Sequence, residues 1–312
     1  MITASIWLPA ALFAGLFQAW RTALQQRLRG ALSVSGAGLI RYAYGLPFAC
    51  LFAAVYLGAH RLGVPALSGR YLIVAALAGL AQILGTALLI LAFGHRGFVV
   101  GTAFSKTEAL IAALVASVVL RERLPGLAWA GIAAGVVGIL LLSLRPLAGG
   151  VAGGARGLAA AMVQPAALCG LGAAALFAMT GLLVKQATAL LGMSDQPAAA
   201  LVTLVVVMAL QTAMHGAYVA WREPATWPTM ARNWRNAALV GLLAACGSAC
   251  WFTGFATAPV ALVRIVGQIE VAFTLGFAHL YLGERLRAQE VAGLALIALG
   301  VVLALLATSA HP

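Results

Sequence analysis

Ten apolar stretches, each about as long as a helix that crosses a bilayer, take up most of this chain of 312 residues. They cover 4–24, 36–58, 71–93, 98–120, 126–144, 166–187, 197–220, 237–256, 260–282 and 289–307. Where no water reaches the backbone, its polar groups must pair within the segment, and a helix of roughly 20 apolar residues does this across the hydrocarbon. The runs are continuous rather than alternating, which argues against a membrane β-barrel. Charged residues make up 8% of the chain, against about 25% in soluble domains, so little is left for a soluble domain. The expected fold is an all-α integral membrane protein with ten transmembrane helices, multi-pass in the cell (inner) membrane.

The net charge of +12 does not indicate a nucleic-acid partner. Most arginines lie in short loops at helix ends, where membrane topology places them. The N-terminal segment MITASIWLPAALFAGLFQAW has no basic region before its apolar run. It reads as a retained first helix rather than a cleaved signal. The four cysteines, Cys50, Cys169, Cys246 and Cys250, all fall inside apolar runs and read as small core residues, with no metal site and no cofactor implied.

The stretch Arg145–Pro165 is rich in glycine and alanine and reads as a linker. It separates a first five-helix repeat, 1–147, from a second, 166–312, with 148–165 between them. An odd number of spans in each half inserts the second half in the opposite orientation. That is an inverted-topology repeat, with a site expected near the bilayer midplane where the halves meet.

The repeat is visible in the residues. SKTEALIAALVASVVLRERL, 105–124, corresponds to GQIEVAFTLGFAHLYLGERL, 267–286. The ungapped register of Gly97–Leu144 on Pro259–Leu306 holds 12 identities in 48 positions and lays Glu108 on Glu270, Glu122 on Glu284 and Lys106 on Gln268. The chain has seven acidic residues, and four of them are these matched pairs. A weaker match joins LFA at 12–14 to LFA at 176–178, with Arg21 meeting Lys185.

Ten spans, the five-plus-five repeat, and the elements Arg121-Glu122-Arg123-Leu124 and Gly283-Glu284-Arg285-Leu286 before each last helix resemble the drug/metabolite transporter superfamily, EamA type. The small-residue pattern Ala130-Gly131…Gly138 and its counterpart Ala292-Gly293…Gly300 completes the resemblance. It implies movement of a small metabolite through a central cavity lined by both halves, and cytoplasmic termini. The arginine distribution, read by the positive-inside rule, instead puts both termini outside. Many members carry proline near the places where this chain has Glu108 and Glu270.

A charge at the bilayer centre costs about 2.5–3.5 kcal/mol on insertion scales, so Glu108 and Glu270 are candidate functional groups. Lys106 and Glu108 lie about 200° apart around a helix and cannot neutralise one another along it. Each therefore needs a partner on another helix, a water or a solute. Thr102 and Lys106 share one face, as do Arg264 and Gln268. The chain has 17 arginines and two lysines, and a buried lysine can lose its proton where an arginine cannot. Lys106, Glu108 and Glu270 are thus candidates for proton coupling. Lys106, Glu108, Arg264, Gln268, Glu270, Arg41 and Gln82 form the expected substrate and proton pathway, with no catalytic residue among them. Basic groups facing a cavity would favour a carboxylate or phosphate.

Softer candidates are Gln18, Gln164 and Trp251. Trp20 reads as an interfacial anchor, Lys185 and Arg21 as side chains reaching toward the interface, and His279 as a packing residue. Pro47 is expected to kink the second span. Gly131, Gly135, Gly138, Gly293 and Gly300 would hold the last helix of each half or pair two copies as a homodimer. The expected activity is secondary transport, export of an amino acid, organic anion or drug-like compound by alternating access. The rivals are a membrane-embedded enzyme acting on a lipid, weakened by a single aspartate and no HExxH motif, and a non-transporting membrane scaffold, which leaves the matched glutamates unexplained.

Overall fold

A computed structural model of the chain describes residues 3–28, 33–94, 104–119, 124–143, 165–273, 276 and 288–309. The described residues hold helices and no strand. In chain order these are α1 (Thr3–Leu28), α2 (Val34–Ala43), α3 (Leu46–Ala59), α4 (Gly69–Gly94), α5 (Glu108–Val119), α6 (Gly126–Ser143), α7 (Pro165–Leu190), α8 (Gln196–Arg222), α9 (Thr226–Arg232), α10 (Trp234–Thr257), α11 (Val260–Gly267) and α12 (Ala288–Ser309). Among the described residues, five segments are long and apolar enough to cross a membrane: Ser35–Ala59, Gly69–Ala92, Pro165–Leu190, Gln196–Arg222 and Trp234–Thr257. Glu108–Val118, Gly126–Gly138 and Val291–Ala307 are shorter apolar helices. Thr102, Arg121-Glu122-Arg123, Gln164, His279 and Gly283-Glu284-Arg285-Leu286, with most of the linker, lie outside the described residues.

The helices gather into two compact units, one drawn from Met1–Ile83 with Met179–Pro259 and the other from Leu84–Ala178 with Val260–Pro312. Each unit takes helices from both sequence halves. In the first unit, α1 packs on α10, and α8 packs on α2, α3 and α10. Its interior includes Leu39 and Ile40 of α2, Val219 of α8, Met230 of α9 and Val240 of α10. The turn from α7 to α8 is shaped by Gly192 at φ +63°, where a side chain would be strained. Asp195 then caps α8 by accepting from the Ala198 N–H at 2.8 Å.

The second span is interrupted, as Pro47 led one to expect, but the break precedes the proline. α2 ends at Ala43, Tyr44 and Gly45 form a turn, and α3 begins at Leu46 with Pro47 in its first turn. Proline has no N–H to give the preceding turn, and a first turn needs none there. α10 crosses at this break. A Cβ on Gly241 would lie 2.5 Å from the Tyr44 carbonyl carbon.

In the second unit, α6 and α12, the last helices of the two sequence halves, pack along each other. Their glycines meet reciprocally. A Cβ on Gly138 would lie 2.7 Å from the Gly293 oxygen, and one on Gly300 would lie 2.6 Å from the Gly131 oxygen. In the repeat register Gly138 corresponds to Gly300 and Gly131 to Gly293, so each helix offers the other the same surface. Between membrane helices such close backbone approach supplies packing that apolar transfer alone does not.

Candidate functional site

Both halves interrupt a helix at the same place. Before α5, Lys106 and Thr107 form a turn, and the Thr107 N–H donates to the Phe104 carbonyl at 3.2 Å. The Thr107 hydroxyl donates to that carbonyl too, at 2.7 Å. After α11, Gln268 and Ile269 form the matching turn, where the Ile269 N–H donates to Val266 O at 3.1 Å and the Val271 N–H to Gln268 O at 3.0 Å. Bonds spanning three residues tighten the chain and break the α-helical ladder without any proline. The spans read as continuous over 98–120 and 260–282 are therefore each interrupted. Glu108 and Glu270 open the helical turns that follow, where the partial positive charge of a helix start favours a carboxylate.

The partners of these carboxylates come from the opposite half. Lys106 Nζ lies 2.6 Å from Glu270 Oε2. Arg264 Nη1 lies 3.3 Å from Glu108 Oε1, and its Nη2 donates to the Phe177 carbonyl at 3.1 Å. Lys106 and Glu108 do not pair along one helix, in keeping with their helical angle. Arg264 is the more enclosed cation, 8% exposed against 17% for the Lys106 side chain. Gln268 Nε2 reaches the Lys106 carbonyl at 3.5 Å. Its Oε1 is buried with no hydrogen-bond partner and faces α6, where a Cβ on Gly135 would come within 2.5 Å. Five of the seven expected pathway residues thus meet in the second unit. Arg41 on α2 and Gln82 on α4 belong to the first unit, both half-buried.

The softer candidates resolve into local pairs. The Trp251 indole N–H donates to Gln18 Oε1 at 3.1 Å, joining α10 to α1. Lys185 donates to the Ala258 carbonyl at 3.3 Å, just past the end of α10, where a cation complements the helix dipole. Arg21, expected to reach toward the interface, is buried, and Trp20 is exposed. Sequence reasoning passed over Tyr42 and His215. Their only signal was a polar residue four positions after Gly38 and a lone histidine in an apolar run.

Residues 164–306 match the EamA-like transporter family. A crystal structure of another protein resembles the chain with a TM-score of 0.69 at 17% identity, covering 96% of this chain and 98% of that one. At that identity the likeness is one of fold. No curated protein matches the chain. The apolar helices fit a multi-pass membrane protein, and the family match, over less than half of the chain, likens its second half to EamA-like transporters. Its second half carries the EamA-like transporter match itself, and the internal repeat extends the motifs into the first half.

Proposed function

We propose that the chain is a secondary transporter that exports a small metabolite by alternating access, built from ten spans in two inverted five-helix repeats, 1–147 and 166–312. The metabolite class is an amino acid, organic anion or drug-like compound, and the setting is the cell (inner) membrane. The observation that carries this reading is the pair of matched helix breaks, each followed by a buried glutamate held by a cation of the other repeat. Discontinuous helices at corresponding positions of two repeats mark the site in many secondary transporters. Contacts that join one repeat to the other are those a rocking motion must remake.

The substrate and proton pathway is assigned to Lys106, Glu108, Arg264, Gln268 and Glu270, with Arg41 and Gln82. Lys106 is assigned the proton-releasing role because it is the amine of the two paired cations, and the guanidinium of Arg264 does not deprotonate. No enzymatic step and no cofactor is invoked.

The test is flux into proteoliposomes together with solute binding by thermal shift, across pH. Uptake above empty liposomes is expected for the wild type and depends on an imposed proton gradient. Lys106→Arg is expected to keep binding and lose gradient-driven flux, since arginine does not deprotonate. Wild-type flux with an unchanged pH profile in that variant removes Lys106 deprotonation from the mechanism. No flux of any solute removes transport itself.

A further inference from the structure

A second polar cluster lies in the first unit, where α2 meets α8. Gly38, Arg41 and Tyr42 are spaced i, i+3 and i+4 and share one face of α2. His215 of α8 packs on that face, its Cε1 2.9 Å from where a Cβ on Gly38 would be. The Tyr42 and His215 rings are 6.1 Å apart, and the Arg41 guanidinium lies 5.6 Å from the Tyr42 ring centre. Tyr42 is 3% exposed.

Three buried polar atoms of this cluster have no hydrogen-bond partner among the described residues: Arg41 Nε, the Tyr42 hydroxyl and His215 Nδ1. Buried polar atoms are nearly always paired, so three in one cluster call for an explanation. The nearby carboxylate does not supply one. Glu223 accepts from the Ser33 hydroxyl at 2.5 Å and from the Ser35 hydroxyl at 2.9 Å. No ion pair joins Glu223 to Arg41 among the described residues. All three atoms can donate a hydrogen bond: an arginine N–H, a phenol O–H, and an imidazole N–H in the appropriate tautomer. What three donors and a positive charge fit is an acceptor carrying negative charge.

We propose that Arg41, Tyr42 and His215 form an oxyanion-binding site that takes a carboxylate or phosphate group. Combined with the transport proposal, on which this further step rests, it assigns the transported solute to the organic acids or phosphate esters.

The full-length protein in zwitterionic nanodiscs is titrated with acetate, succinate and inorganic phosphate, each against sodium chloride of equal ionic strength, by thermal shift and calorimetry. A parallel arm uses nanodiscs containing phosphatidylglycerol and no soluble anion. A concentration-dependent rise in Tm with a soluble oxyanion is expected. Arg41→Gln should weaken binding roughly tenfold or more, as loss of a charged hydrogen bond does. Tyr42→Phe should weaken it by a smaller factor. Arg41 Nε has no hydrogen bond to lose, so Arg41→Gln should fold, giving up only the contact of the guanidinium with the Tyr42 ring; if it does not fold, Tyr42→Phe carries the comparison. A rise confined to the phosphatidylglycerol arm and lost in the variants identifies the oxyanion as a lipid phosphate. No rise in either arm, or an equal rise in both variants, overturns the site. Binding without flux overturns the transport reading and leaves the site standing, whereas flux with unaltered binding in the variants does the reverse.

Discussion

Lys106 and Glu270 are joined at 2.6 Å, and they come from opposite repeats. In the register that lays Lys106 on Gln268, the corresponding pair would join Gln268 to Glu108. Glutamine carries no charge, and Arg264, one turn earlier on α11, takes Glu108 instead. The two carboxylates are thus equivalent in sequence and unlike in partner. One faces a cation that can shed its proton, the other a cation that cannot.

That asymmetry predicts unequal losses. Glu108→Gln leaves the Arg264 guanidinium buried and unneutralised, and removing one partner of a buried pair costs about 3–5 kcal/mol. Glu270→Gln leaves Lys106, which can become neutral, so its loss should be smaller. Thermal unfolding of both variants in one detergent measures the order. Equal losses, or a larger loss for Glu270→Gln, would count against the different character of the two cations.

The glycine faces of α6 and α12 predict a sharp contrast. Gly138→Ala and Gly300→Ala each drive a methyl to within 2.7 Å and 2.6 Å of backbone oxygen, which cannot swing aside. Overpacking of this kind costs about 1–3 kcal/mol. Gly58 lies within α3 with nothing inside 4 Å of its Cβ position, so Gly58→Ala should gain about 0.4–1 kcal/mol instead. Chemical denaturation of the three variants reads the sign directly. A neutral Gly300→Ala would mean that α6 and α12 are less tightly joined than their glycine contacts require.

Gly135 separates packing from function. Its nearest neighbours are side-chain ends, Gln268 Oε1 and Ile265 Cδ1, each 2.5 Å from where an added methyl would sit. Both can move, so Gly135→Ala should cost less stability than Gly138→Ala. It should nonetheless displace Gln268 from the Lys106 carbonyl and change flux or its pH profile. Wild-type transport in Gly135→Ala would remove Gln268 from the pathway.

Five long apolar helices and the glycine contacts of α6 with α12 could be read from the chain because hydrophobic length and small-residue spacing are properties of single segments. So could the need of Glu108 and Lys106 for partners on other helices, which follows from helical angle alone. The identity of those partners could not, because the pairing of α5 with α11 is a tertiary fact. Nor did the interruptions at Lys106–Thr107 and Gln268–Ile269 announce themselves, since neither carries a proline. His215 was missed for the same reason: its significance lies in Arg41 and Tyr42 on another helix, not in its neighbours along α8.

Glu223 predicts an acid-sensitive tie between α2 and α8. It follows the last residue of α8, outside the span, and the Ser33 hydroxyl, first among its neighbours, holds its carboxyl below the ordinary range. Ser35, His215 and Thr226 act in the same direction, while partial burial opposes them. A carboxyl whose folded-state pKa is depressed contributes stability above its unfolded pKa and loses it as pH falls through the folded value. The tie should therefore be intact at neutral pH and fail only on the acid side. The group is largely solvated, so the effect is modest and weakened by salt. Other carboxylates also lose stability in acid, and the informative quantity is the difference between wild type and Glu223→Gln. Tm measured from neutral to acid pH should fall less steeply in that variant, and Ser33→Ala should move the wild-type acid limb to higher pH. Superimposable acid limbs in all three proteins would show that Glu223 does not hold α2 to α8 through its charge.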